Sequence, residues 1–165
     1  MAHTSREANL LGACALAIAE RLPPDASDAA LVALSTWLAG TTVDGLARVL
    51  DLTHSGAVRL ADRLEGDGLL ERRPGVDGRT RALHLTTDGV RAAAGLQAAR
   101  FSALEEVLVP LGAAGRAVLT PLLEQLLAGL TTDRASARRT CRLCAPDVCG
   151  HPARCPVTRA ARTGS

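Results

Sequence analysis

The sequence has no lysine and no tyrosine: all 19 basic side chains are arginine, and Trp37 and Phe101 are its only large aromatics. So few rings exclude a stacking platform for single-stranded nucleic acid or splayed bases. They also leave little with which to build a pocket for aromatic ligands. Long apolar runs are missing too. Leu10–Ala19 is interrupted by Gly12 and closed by Glu20 and Arg21, short of the roughly 20 apolar residues that span a bilayer. The N-terminus shows no basic region followed by a small-residue cleavage site, so the expected location is cytoplasmic, with no membrane partner. Catalytic signatures are equally scarce. There is no nucleophile–base constellation and no glycine-rich phosphate loop, and His54 and His84 stand without evident partners. An enzyme is not expected.

What is present is enough for a core. The 165 residues are 47% apolar and 22% charged, which supports one packed domain, or one domain with a small appendage. The net charge of +2 conceals a division. Residues 133–165 carry seven Arg against Asp133 and Asp147, a net +5, whereas residues 1–132 net −3. The basic tail also holds Cys141, Cys144, Cys149 and Cys155, four of the five cysteines. In a reducing cytoplasm, clustered cysteines are more often metal ligands or redox sensors than disulfides. The expected organisation is therefore a body, 1–132, and a cysteine-rich tail, 133–165.

Helical spacing of Leu10, Leu11, Cys14, Leu16, Ala17, Ile18 and Leu22 predicts a first helix, stopped by Pro23 and Pro24. Cys14 reads as a small core residue on its apolar face. Asp25 to Asp28 can cap a second helix through Leu31, Leu34 and Leu38, with Gly40 at its end. Thr41 or Thr42 caps a third, Val43 to Leu50; after the connection 51–53, Thr53 caps a fourth that ends at 66–68. Two such helices across so short a turn are helix-turn-helix geometry. The period then changes. Residues 69–73 and 79–85 read as strands around the turn residues Pro74 to Gly78. A hairpin directly after a helix-turn-helix makes a winged helix, so the expected fold is mainly α, a winged helix-turn-helix. Thr86, Thr87 and Asp88 cap a long helix to about Leu108, Pro110 to Gly115 break it, and a leucine-rich helix runs to Leu130. Pro121 either kinks that helix or starts a new one at Thr120, and the kink is favoured. Residues 131–140 read as a polar link to the cysteines.

Several blocks keep a familiar order and spacing. They are residues 46–53 (LARVLDLT), 58–65 (VRLADRLE), Gly68-Leu69-Leu70-Glu71-Arg72, Asp77-Gly78-Arg79 and Leu85-Thr86-Thr87-Asp88-Gly89. In these the chain resembles the MarR family of winged-helix transcription regulators, over roughly residues 8–130 and most specifically over 42–89. The resemblance implies an obligate homodimer whose dimerisation helices, about 5–22 and 87–132, interlock between subunits. A DNA-binding lobe at about 27–88 would face a double-stranded operator, pseudo-palindromic to match the two-fold, with repression as the outcome. It also implies an effector crevice near Trp37 and the first and fifth helices. Without tyrosine, that crevice is poorly suited to phenolic ligands.

An α-helix fits the major groove with its N-terminal side chains against base edges and phosphates. Thr53, His54, Ser55, Gly56 and Ala57 are small or hydrogen-bonding and let the fourth helix approach closely. Arg59 is the candidate for a guanine; Arg63, one turn on, reaches a phosphate or pairs with Asp62 or Glu65. The wing sets Arg72, Arg73, Arg79 and Arg81 against Asp77, a net +3 over ten residues, and Arg73 and Arg81 join the DNA-contacting set. By the resemblance, the arginine of the Asp-x-Arg motif, here Arg79, enters the minor groove. Asp77 then orients a wing arginine rather than touching DNA. Between residues 41 and 85 seven Arg meet seven acids, so binding rests on where charge sits and not on its total.

The tail has its own pattern. Cys141-x2-Cys144-x4-Cys149-x5-Cys155 places four thiols within fifteen residues. A C-x2-C knuckle presents two sulfurs to one tetrahedral ion, and two more ligands close the site. Zinc is the expected cofactor, ahead of an iron–sulfur cluster or a thiol redox switch, with His151 a less favoured third ligand. Control of DNA binding by metal occupancy or oxidation of these thiols is the alternative functional reading.

Overall fold

The computed structural model describes residues 5–22, 25–75 and 78–163. The helices of the winged helix each begin at a side-chain cap, as the Ser/Thr/Asp punctuation predicts. Asp25 accepts the Ser27 amide at the head of α2 (Ala26–Thr36) and Thr42 the Gly45 amide at α3 (Val43–Leu50). Thr53 accepts the Gly56 amide at α4 (His54–Gly66). These are preceded by α1 (Arg6–Arg21) and followed by an antiparallel hairpin, β1 (Leu70–Pro74) and β2 (Arg81–Leu85), in register Leu70 to Leu85 and Arg72 to Leu83. Then come α5 (Thr87–Leu108), a 3₁₀ turn at Val109–Leu111 and α6 (Gly112–Leu130). Pro121 is carried inside α6 without ending it.

The core lies in the lobe. Leu31 and Leu34 of α2, Leu46 of α3, Leu60, Ala61 and Leu64 of α4, Leu70, Leu83 and Ala93 of α5 form one buried cluster. Leu83 also holds the hairpin to the rest: its amide donates to the Thr41 carbonyl at 2.7 Å and its carbonyl accepts the Gly40 amide at 3.0 Å. Gly40 is therefore not the helix stop expected of it. α2 ends at Thr36, and Gly40, at φ 75°, turns the chain into this bridge. The strands are shorter than the pattern suggested; Gly78, at φ 65°, and the residues beside it form the wing loop.

The Leu-Thr-x-x-Gly signature has a local cause. Thr86 Oγ1 accepts the Gly89 amide at 3.1 Å as the α5 cap, and donates to the Gly68 carbonyl at 2.7 Å. Gly89 is packed so closely on the wing's first turn that a Cβ would overlap the Leu69 carbonyl.

Outside the lobe the picture inverts. Neither α1 nor α6 contains a buried residue. Cys14, expected in a core, is exposed on α1. The helical run Thr87–Leu130 is, by length and composition, apolar enough to cross a membrane, which the sequence reading did not register. Residues 131–140 are not a plain link either. Asp133 and Ser136 form a capping box that starts α7 (Arg134–Cys141), followed by α8 (Pro146–Cys149) and α9 (Pro156–Thr163). The Ser136 amide holds the Asp133 carboxyl below its ordinary value. The cap is thus complete above the usual carboxylate pKa and weakens as pH falls through the lowered one.

Two glycines of α5 should respond in opposite directions. Gly89→Ala should destabilise by more than about 1 kcal/mol through the Leu69 clash, whereas Gly95→Ala, with open space around it, should stabilise by about 0.5–1 kcal/mol. Urea denaturation of the two variants measures both.

Candidate nucleic-acid interface

The first turn of α4 carries the residues nominated for base contact, and most are already engaged. Thr53, His54 and Ser55 are exposed, but the Thr53 hydroxyl serves as the cap and lies 3.4 Å from that of Ser55. His54 Nδ1 is bonded to the Asp44 carboxylate at 2.6 Å. This corrects the expectation of a partnerless histidine, and it ties the start of α4 to the first turn of α3. Ala57 is fully buried. It opens the stripe 57, 60, 61, 64 that packs α4 into the core, so it presents no surface to DNA. Arg59 is exposed, with no ion pair among the described residues. Arg63 turns away from a phosphate role and donates to Ser27 Oγ of α2 at 2.9 Å.

The carboxylates expected to face Arg63 belong instead to the wing. Arg72 on β1 reaches back to α4, bonding Asp62 at 2.7 Å and also Glu65. Only the fold reveals this pairing, because it depends on β1 running back beside the end of α4. Arg73 pairs with Glu71 of its own strand. Arg79 and Arg81 are exposed on the wing, and Asp77 lies outside the described residues. What results is a helix N-terminus carrying exposed hydroxyl and imidazole groups, with an arginine-bearing hairpin locked to the same helix. The partial positive charge of such a terminus suits it to phosphate.

Residues 31–80, from α2 into the wing loop, match the model of the MarR family. This winged helix belongs to the MarR family. Solved structures of similar fold agree. MepR, a transcription regulator of the Staphylococcus aureus multidrug efflux pump MepA, gives a TM-score of 0.63 at 16% identity, covering 77% of this chain and 99% of its own. The transcriptional regulator PA3341 gives 0.55 at 25% identity, over 74% and 96%. The Mycobacterium tuberculosis MarR family protein Rv2887, in complex with p-aminosalicylic acid, gives 0.52 at 22%, over 74% and 98%. Comparison with curated proteins gives no match. MarR-family proteins are transcription regulators, not enzymes.

In this MarR-family chain the cysteine segment is docked on the body. Trp37, just after α2, donates its indole N–H to the Cys144 carbonyl at 3.2 Å, and its ring meets His151 edge-on with centroids 4.9 Å apart. Gln97 of α5 donates to the Leu143 carbonyl at 3.0 Å. α7 packs on α3, and α9 packs on α6 and α7. The expected effector crevice is therefore altered. A cavity of about 210 Å³ does lie between α1, α2 and α5, lined by Asp28, Leu96, Arg100 and, from the tail, Leu143. Trp37 is not part of it. That ring lines a separate cavity of about 490 Å³ with Arg138, Cys141 and His151.

The tail thiols stand as two pairs. A hydrogen bond from Cys141 and the nearby Arg100 charge bring Cys144 down to about 7 despite burial. The same bond, with burial, pushes Cys141 well up. In the second pair, burial raises Cys149; for Cys155 burial acts upward too, but hydrogen bonds from Thr158 and Val157 leave it lowered. Among the described residues no three His, Cys, Asp or Glu side chains gather closely enough to hold a metal ion. The tetrahedron expected from the spacing is thus not preformed.

Arg72→Ala should release the wing from α4 and cost about 1 kcal/mol, near the upper end for partly exposed ion pairs. Arg63→Ala, losing one exposed bond, should cost about 0.5 kcal/mol or less. Chemical denaturation compares them, and high salt should narrow the difference.

Proposed function

We propose that this chain is a sequence-specific, double-stranded-DNA-binding transcription regulator that works as a homodimer in the cytoplasm. The observation that carries the reading is the MarR-family winged helix itself, with the first turn of α4 exposed and an arginine-bearing wing fixed to that helix through Arg72. In this reading α4 enters the major groove. Ser55, Thr53 and His54 meet phosphates and base edges, and Arg59 is the guanine reader. Arg79, with Arg81, follows the wing into the minor groove, where the narrow groove's negative potential favours guanidinium. Where the operator overlaps a promoter, the outcome is repression.

The homodimer follows from what the single chain leaves uncovered. Leu10, Leu11 and Leu16 on α1, and Val118, Leu122, Leu123, Leu126 and Leu130 on α6, are between 45% and 70% exposed. That is far more contiguous apolar surface than a monomer in water tolerates. A second copy placed by a two-fold covers both helices at once. The same symmetry implies a pseudo-palindromic operator with half-sites about 10 bp apart.

Selection from random duplex DNA should enrich such a palindrome. Arg79→Ala should then lose about tenfold or more in affinity, and Arg59→Ala should relax preference at one position per half-site. Retention of full specific affinity by Arg79→Ala at moderate salt would contradict the wing assignment. Leu122→Asp combined with Leu126→Asp should give a monomer in sedimentation analysis that no longer binds the selected site.

A further inference from the structure

The docked tail is poorly explained by its own packing. Among the described residues of 134–163, Cys155, Val157 and Ala161 are the buried apolar positions, and a segment of about 30 residues with so small a core needs a staple to stay folded. Its backbone nevertheless makes tight, specific turns around the cysteines. The Cys144 amide donates to the Cys141 carbonyl at 2.9 Å, the turn that brings a C-x2-C pair to one side. Gly150, at φ 72°, follows Cys149 directly, and Cys155 stands immediately before α9, its carbonyl accepting the Arg159 amide at 3.1 Å. Each cysteine sits at a turn or a helix end, where a ligand is held by backbone geometry.

We infer that the four thiols bind one zinc ion, and that the loaded knuckle closes a brace between the dimerisation helix α6 and the helix-turn-helix. One ion entering between the pairs Cys141–Cys144 and Cys149–Cys155 replaces two sulfur–sulfur hydrogen bonds with four Zn–S bonds; each thiol still protonated gives its proton to solvent. The tetrathiolate product carries two negative charges, and arginines surround it. Arg100 acts on Cys144, Arg138 shares a cavity with Cys141, and Arg154 packs against Gly150. From the knuckle, one arm, α7, lies on α3, and the other, α9, lies on α6. Trp37 and Gln97 fix the middle to α2 and α5. Zinc occupancy therefore sets how firmly the reading head is held to the dimer frame. Site and brace stand without any assumption about DNA; the effect on operator binding rests on the reading above.

The test uses the full-length protein purified under reductant without added metal. Elemental analysis should find about one zinc per chain. Cobalt(II) exchanged into it should give the visible bands and thiolate charge transfer of a tetrahedral four-sulfur site. Cys141→Ser with Cys144→Ser should abolish that charge transfer, and Cys14→Ser should keep it. Because Trp37 is the sole tryptophan and there is no tyrosine, its emission reports directly on the Cys144–His151 contact and should shift on chelation. Hydrogen exchange should then rise at least about tenfold in α7 and α9 and also in α3. Absence of zinc together with no cobalt–thiolate band overturns the site, as does iron with a cluster spectrum, or disulfides within the two pairs in protein that takes up no metal. A rise confined to 134–163 overturns the brace. An intact zinc response in protein that selects no DNA sequence counts against the DNA-binding reading alone.

Discussion

Leu83 is where the lobe is made. A two-stranded ribbon is marginal in water by itself, and this one is held because Leu83 is fully buried and gives both of its backbone groups to residues 40 and 41. That single insertion sets the wing against α2, α3 and α4 at once and fixes where β1 begins. The alternation that buries Leu83 also leaves Arg81 outside, so one register serves packing and charge display together.

The balance of seven arginines and seven acids over residues 41–85 resolves by placement. Asp62 and Glu65 are taken by Arg72, Glu71 by Arg73, and Asp44 by His54. The negative charge is thereby spent inside the lobe, on joints between α3, α4 and the wing, while Arg59 and Arg81 stay exposed. A surface nearly neutral by count becomes one-sided in space, which is what phosphate contact requires.

Local rules carried most of the fold into the sequence. Thr42, Thr53 and Thr86 announce their helices because a cap is a contact three residues long, and the helices start where those residues stand. Pairings across the chain were not legible. Nothing near Arg72 says that its partners lie on α4, and nothing near Trp37 points 107 residues on to Cys144. Ala57 was misassigned for the opposite reason: its small size suits close approach to DNA and equally suits a tight core, and burial decides for the core. The polar composition of 131–140 concealed α7 because that helix is fixed by its capping box and its neighbours and has no buried residue.

The Thr86 junction has a mechanical consequence. β2 passes into α5 through this one residue, whose hydroxyl is also fastened to Gly68 at the far end of α4. Gly89, pressed on the Leu69 carbonyl, removes the remaining play. There is no slack between hairpin and helix. When the wing follows the curvature of a groove, the displacement is not absorbed at its root but becomes torsion of a 22-residue shaft, so the hairpin acts as the handle and α5 as the axle.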